Sequence, residues 1–336
     1  MVAVSSPRPA SAELAPGVPA EARLHIVTGK GGTGKTTVAA ALALALAAGG
    51  RKVLLVEVEG RQALAQLFDV PALPYEERRL VSTARGGQLW GLAVDAEDAM
   101  IEYLDMFYNL KRSARGLKRI GAVDFVTTLA PGLRDVLLTG KVKESVTRTN
   151  PDGRLAYDAV VLDAPPTGRI RPFLNATREV ANLTKFGPIN RQSAGVIELL
   201  HGPLTAVHLV TLLEEMPVQE TIDAAEDLTA DGFRIGAVIV NRARPALLDD
   251  ADLNDGYRID LASLKAGLKA VNIPAVHAAP LADEVADYTQ RQRVQAENLA
   301  RLDVVAAPRV ELPDLTPPVE IGELNELSAY LTVDAS

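Results

Sequence analysis

Thr28-Gly29-Lys30-Gly31-Gly32-Thr33-Gly34-Lys35-Thr36-Thr37 is preceded by the apolar Leu24, Ile26 and Val27 and followed by an alanine- and leucine-rich run through Ala48. The spacing is Gly, any four residues, then Gly-Lys-Thr, between an expected strand and an expected helix, which is the setting a phosphate-binding loop requires. Closely spaced glycines let backbone N–H groups turn inward around phosphate oxygens, where a Cβ would clash. The helix beginning near Lys35 points the positive end of its dipole at the same anion. Lys35 is expected to reach the outer phosphates of ATP, and the Thr36 hydroxyl to ligate Mg2+. Gly29, Gly31, Gly32, Thr33, Gly34 and Thr37 complete the expected cradle.

Working outward, Val53-Leu54-Leu55-Val56 reads as a strand buried on both faces of a parallel sheet. It ends in Glu57-Val58-Glu59-Gly60-Arg61, at the strand edge where open α/β sheets bind their ligands. Glu59 is the candidate for orienting or deprotonating the water that attacks the terminal phosphate, a plain strand-end carboxylate being the alternative. Tyr157 to Asp163 reads as a second such strand, tipped by an acid that would hold the metal directly or through water. In Ala164-Pro165-Pro166-Thr167-Gly168-Arg169, Gly168 offers a backbone N–H to the terminal phosphate. Strands are also expected at 89–94, 206–212, 234–240 and 309–312, with helices at 218–230, 283–302 and 322–331. Glu214 and Asn241 fall at strand ends; the Asn241 amide suits an adenine edge or a turn equally well.

Between two of these strands, residues 96–150 read as a helical insertion longer than one crossover needs. Met100, Tyr103, Leu104, Phe107 and Tyr108 recur at helical spacing. That stripe would either form a groove for an apolar client helix or pack on its neighbours. The expected architecture is α/β, a P-loop fold whose mostly parallel sheet is flanked by helices. Residues 23–336 would form a single domain, and residues 1–22, rich in Ala, Pro, Ser and Glu, a disordered tail.

Composition narrows the function. The chain has 336 residues, 48% hydrophobic and 23% charged, as expected of a soluble globular protein. A net charge of −8 speaks against a broad nucleic-acid surface. Cysteine is absent, which excludes disulfides, a thiolate zinc site and a catalytic thiol. No apolar stretch is long enough to span a bilayer, and no secretory leader is legible, so a cytoplasmic location is expected.

With these pieces in place, the chain resembles the arsenical-pump and tail-anchored-protein-targeting ATPases, whose phosphate loop is the deviant Walker form. The likeness rests on Lys30-Gly-Gly-Thr-Gly-Lys-Thr36, Asp163-Ala-Pro-Pro-Thr-Gly168, Ala130-Pro-Gly-Leu-Arg-Asp135, Glu214 and Asn241. The wording of 53–69 and 121–143 resembles actinobacterial members described as anion-transporting ATPases. The resemblance implies a dimer, with itself or with a related ATPase subunit, that uses ATP and magnesium to open and close helical subdomains. In targeting members closure forms an apolar groove for a membrane-anchor helix. It also implies that Lys30 reaches the partner's nucleotide, that Glu214 lies near nucleotide at the dimer interface, and that Asn241 contacts adenine. Three features depart from the pattern. Glu59-Gly60-Arg61-Gln62 stands where the family reads Asp-Pro-Ala-His, and Arg169 stands where it carries histidine. Without cysteine the chain offers neither the soft thiolates that trivalent arsenic favours nor an interfacial zinc site.

Overall fold

The computed structural model describes residues 13–58, 60, 62–108, 131–183, 188–245, 247–248, 253, 258–315 and 318–333. Its centre is an eight-stranded sheet in the order β4-β5-β3-β6-β2-β7-β8-β9. The members are β2 (Leu24–Gly29), β3 (Lys52–Glu57), β4 (Arg78–Ser82), β5 (Gln88–Ala93), β6 (Ala159–Asp163), β7 (Thr205–Thr211), β8 (Ile235–Ala243) and β9 (Arg309–Pro313). All neighbours are parallel except β4, which runs antiparallel along β5 at one edge. β2, β6 and β7 are buried at every position, as parallel strands covered on both faces must be.

Alternation along the strands divides the apolar side chains between two layers. Val53 and Leu55 of β3 face the layer of α1 (Lys35–Ala48), α2 (Ala63–Leu67) and the C-terminal α10 (Ile321–Tyr330). Leu54 and Val56 face the opposite layer, made of α3 (Ala96–Tyr108), α4 (Pro131–Thr147), α5 (Thr167–Leu183), α6 (Pro188–His201) and α7 (Glu215–Ala230). α1 is buried almost all round, from Val38 to Ala47, so its apolar content is even rather than one-sided. The phosphate loop thus leads into one of the most enclosed helices of the fold.

Several expectations change. The ordered chain starts before residue 23: β1 (Glu13–Leu14) pairs antiparallel with β10 (Thr332–Val333), and Ala15, Val18 and Ala22 are buried. The low periodicity of this segment hid a long-range pairing of the two chain ends. β4 went unread because its exposed edge, with Arg78 and Arg79, lacks an apolar run. A further helix, α8 (Leu261–Ala270), capped by Asp260 through the Ser263 N–H at 2.7 Å, precedes α9 (Ala278–Arg301). The expected insertion over 96–150 appears as α3 and α4; residues 109–130, and the side chains of Tyr103, Leu104, Phe107 and Tyr108, lie outside the described residues.

Between β2 and β7, two fully buried histidines meet. The Ala237 N–H donates to His208 Nδ1 at 3.2 Å, so the His208 proton sits on Nε2, which donates to His25 Nδ1 at 3.1 Å. The rings stack at 5.4 Å with 13° between their planes. Gly236 makes room for them: a Cβ there would lie 2.6 Å from His208 Cε1. Burial lowers His25 to about 4, against the opposing effect of the Ala22 backbone, and holds His208 well below the usual histidine range, with His25 adding to the effect. Both rings are neutral in the folded chain at neutral pH.

Candidate nucleotide site

The sheet order brings the sequence-predicted residues to one edge. Register pairs Val27 of β2 with Asp163 of β6, and Asp163 with Glu57 of β3. The loop after β2 therefore lies beside the acidic tips of two neighbouring strands.

The loop has the backbone that glycine permits. Gly32 and Gly34 adopt φ of 90° and 86°. Gly29 is confined by contact: a Cβ there would come within 2.1 Å of the Val210 carbonyl oxygen. Gly31 and Gly32 are exposed, and a Cβ on either would meet nothing within 4 Å, so the mouth of the loop is open. α1 begins at Gly34 with no side-chain cap and no acid in its first turn. Its first N–H groups are thus left for an anion, the arrangement that holds phosphate at helix starts. Inside the loop, Thr33 donates to the Lys30 carbonyl at 2.9 Å and the buried Lys35 reaches the same oxygen at 3.4 Å.

Thr36 and Asp163 meet directly: the hydroxyl donates to Asp163 Oδ2 at 2.6 Å. A hydroxyl and a carboxylate beside a phosphate cradle are hard oxygen donors, which suits magnesium, an ion that takes a few protein oxygens together with phosphate and water. Among the described residues no three His, Cys, Asp or Glu side chains gather as an all-protein metal site.

Glu59 lies outside the described residues, as does Arg61. Their neighbours are firmly held. Glu57, 2% exposed, accepts from the Ala63 and Leu64 N–H groups at 3.2 and 3.3 Å and so caps α2. Gln62 adopts φ 55° and makes paired hydrogen bonds with the Leu73 backbone at 3.0 and 2.7 Å. Sequence reasoning missed both; the signal available for Glu57 was its place as the last residue of an apolar run.

After β6, the Thr28 hydroxyl donates to the Pro165 carbonyl at 2.7 Å, tying the segment to the loop strand. Gly168, exposed, lies in the first turn of α5 with open space around it. Arg169, next to it, extends to Asp135 of α4 at 3.3 Å. Burial pushes the Asp135 carboxyl up, and the Arg169 and Arg134 charges work the other way.

On the other side of the loop is a cavity of about 920 Å³ lined by Gly34, Thr37, Glu214 and Asn241. Glu214 is the exposed residue preceding α7. Asn241 is 5% exposed, and its amide nitrogen donates to the Thr33 carbonyl at 2.8 Å, so this side chain supports the loop from the side of this cavity. Sequence reasoning did not find the opposite wall, Gln290, Arg291 and Val294 of α9, nor Arg242, which is held at φ 55° beside Asn241. Lys30 is placed apart from this cavity, against Glu220 of α7.

Residues 22–204 match the family described as anion-transporting ATPase. Across 313 residues, 92% of each chain, the protein is 55% identical to ATPase BagA of Mycobacterium tuberculosis. It is 30% identical over 217 residues to the uncharacterized protein SCO2128 of Streptomyces coelicolor, spanning 62% of this chain and 52% of that one. The phosphate loop, the acid-tipped strand beside it and these likenesses agree: the chain is an ATP-hydrolysing enzyme and belongs to the anion-transporting ATPase family.

Proposed function

We propose that the protein is a cytoplasmic magnesium-dependent ATPase that works as a dimer, with a second copy or a related ATPase subunit, and uses hydrolysis to capture and release an apolar client such as a tail-anchored membrane protein. The observation that carries this reading is the path from nucleotide to helical layer. Asp163, hydrogen-bonded to Thr36, ends the strand whose following turn delivers Arg169 to Asp135 of α4. A change at the terminal phosphate near Gly168 would therefore pull on a helix of the insertion.

The loop amides and Lys35 bind and orient the triphosphate. Thr36 and Asp163 would hold the metal shell, and magnesium held there would neutralise phosphate charge. Asn241 keeps Thr33 in place through its amide nitrogen. Lys30 supplies charge across the dimer to the partner's phosphates, and Glu59 positions the attacking water. Among the described residues no helix is long and apolar enough to cross a membrane. A soft-metalloid cargo has no support, since the chain has no cysteine.

Photocrosslinking a reactive apolar helix to the purified protein, with and without ATP, tests the proposal. Saturable, nucleotide-dependent labelling within about residues 100–140 is expected. No labelling in either state would remove the client and leave a nucleotide-gated subunit that regulates a related ATPase or an anion exporter. Replacing Glu59 with Gln is expected to slow turnover while leaving nucleotide affinity largely intact; unchanged turnover would take Glu59 out of the mechanism.

A further inference from the structure

Residues 261–282 contain no aspartate or glutamate, in a chain that carries 43 of them and a net charge of −8. Lys265 and Lys269 are exposed there, and neither has an ion-pair partner among the described residues. The nearest acids in sequence are Asp260, at the far end of α8, and Asp283 and Glu284, in the second turn of α9. Backbone chemistry fixes the turn between the two helices. Asn272 adopts φ 59°; its N–H donates to the Lys269 carbonyl at 3.2 Å, and the Ile273 N–H to the Leu268 carbonyl at 2.8 Å. This paired helix stop, followed by Pro274, makes a defined tip. Val271, Ile273 and Val276 are left 64%, 43% and 75% exposed on it. From Leu261 to Pro280 only Leu268 and Ala278 are buried, so the tip stands clear of the body on most sides. Lys265, Lys269, Ile273 and Pro274 border one surface hollow of about 560 Å³. Cations and aliphatic groups therefore share a face.

The geometry points to this tip as the docking site of the chain on a membrane surface rich in anionic lipid. Its aliphatic side chains enter among the acyl chains while Lys265 and Lys269 meet headgroup phosphates. Charge and size favour that occupant. A second copy docking through the same tip would bring like charges face to face. A convex turn of a few residues also falls short of the roughly 800 Å² per partner that a stable protein interface buries. A lipid surface demands no matching relief, only aliphatic groups flanked by cations. The acidic remainder of the chain is repelled by the same headgroups, so the tip sets the orientation at the surface. Contact is peripheral and sensitive to salt, each lysine contributing roughly fivefold. It requires neither nucleotide nor client, so its failure leaves the proposed ATPase standing.

Sedimentation of the full-length protein with vesicles of phosphatidylcholine, with and without phosphatidylglycerol, tests the contact. Binding to the phosphatidylglycerol vesicles is expected to be stronger by roughly tenfold or more and to weaken as salt is raised. Replacing both lysines, Lys265→Gln with Lys269→Gln, is expected to remove roughly that advantage. Ile273→Asp is expected to reduce binding to the level seen with phosphatidylcholine alone. All three positions are exposed, so these variants should keep wild-type circular dichroism and ATP turnover. Because the chain has no cysteine, a dye sensitive to its surroundings can be placed at one site. On Val276→Cys its emission should shift to the blue with anionic vesicles, and on Glu326→Cys of α10 it should not. Equal binding to both vesicle types, or anionic-vesicle binding that survives Ile273→Asp, overturns the proposal. So does a wild-type oligomer, seen by light scattering, that Ile273→Asp dissociates, since the tip would then be an interface between copies.

Discussion

The Thr36 hydroxyl donates to Asp163 Oδ2 at 2.6 Å, joining the first turn of α1 to the tip of β6 across 127 residues of sequence. This contact brings together the two oxygen donors of the proposed metal shell. Asp163→Asn keeps the shape but removes the charge, and is expected to raise the magnesium concentration needed for turnover by roughly 10- to 100-fold. Turnover titrated with magnesium, alongside circular dichroism to verify folding, measures this. An unshifted magnesium dependence would place the metal elsewhere.

Asn241 separates two roles by base. Its amide nitrogen is committed to the Thr33 carbonyl, at a buried position where losing the donor strands an acceptor. Asn241→Ala is therefore expected to weaken ATP and GTP alike, by roughly tenfold, because the loop itself loosens. Calorimetry with both nucleotides checks this. A loss confined to ATP would make Asn241 a reader of adenine and no support of the loop.

Arg169 joins the segment after β6 to α4 through the buried Asp135. Because the guanidinium is half exposed, Arg169→Ala is expected to cost only about 1 kcal/mol of stability. Its larger effect should be on coupling: nucleotide-induced changes in hydrogen exchange over residues 131–147 should disappear. Exchange that still responds as in the wild type would mean that the helical layer is moved by some other contact.

The histidine pair predicts a dependence on pH. Burial lowers His25 from 6.5 in the unfolded chain to about 4 in the folded one. Between these values the unfolded chain binds more protons, so stability rises with pH, is complete above about 6.5 and is lost as pH falls toward 4. From this residue alone, a fall from pH 7 to pH 5 is expected to remove about 2 kcal/mol. His25→Gln should flatten that slope in urea denaturation, whatever it does to absolute stability. An unchanged slope would assign the acid sensitivity to other groups.

What could be read from the sequence follows the range of the interactions. The phosphate loop is a contiguous motif, and the strands carrying Val53 to Val56 and Val160 to Asp163 are continuous apolar runs, so the sheet and its ligand edge were legible. The meeting of Thr36 with Asp163 followed from that topology. The pairing of Glu13–Leu14 with the C-terminus, the histidine contact across β2 and β7, and Glu220 against Lys30 were not legible. Each depends on side chains brought together from distant segments, and none leaves a periodic trace. Asn241 shows an intermediate case: its position at a strand end was evident, but its bond to Thr33 exists only once β8 lies beside β7 and β7 beside the loop strand.

The central claim is that the loop between β2 and α1 cradles a triphosphate together with magnesium. Calorimetric titration of the folded full-length chain with ATP, with and without magnesium and in parallel with Lys35→Ala, tests it most directly. Saturable binding that strengthens with magnesium and falls at least roughly 100-fold in the variant is expected. Equal affinity of the wild type and Lys35→Ala, or no magnesium-dependent uptake by the wild type, would contradict the account.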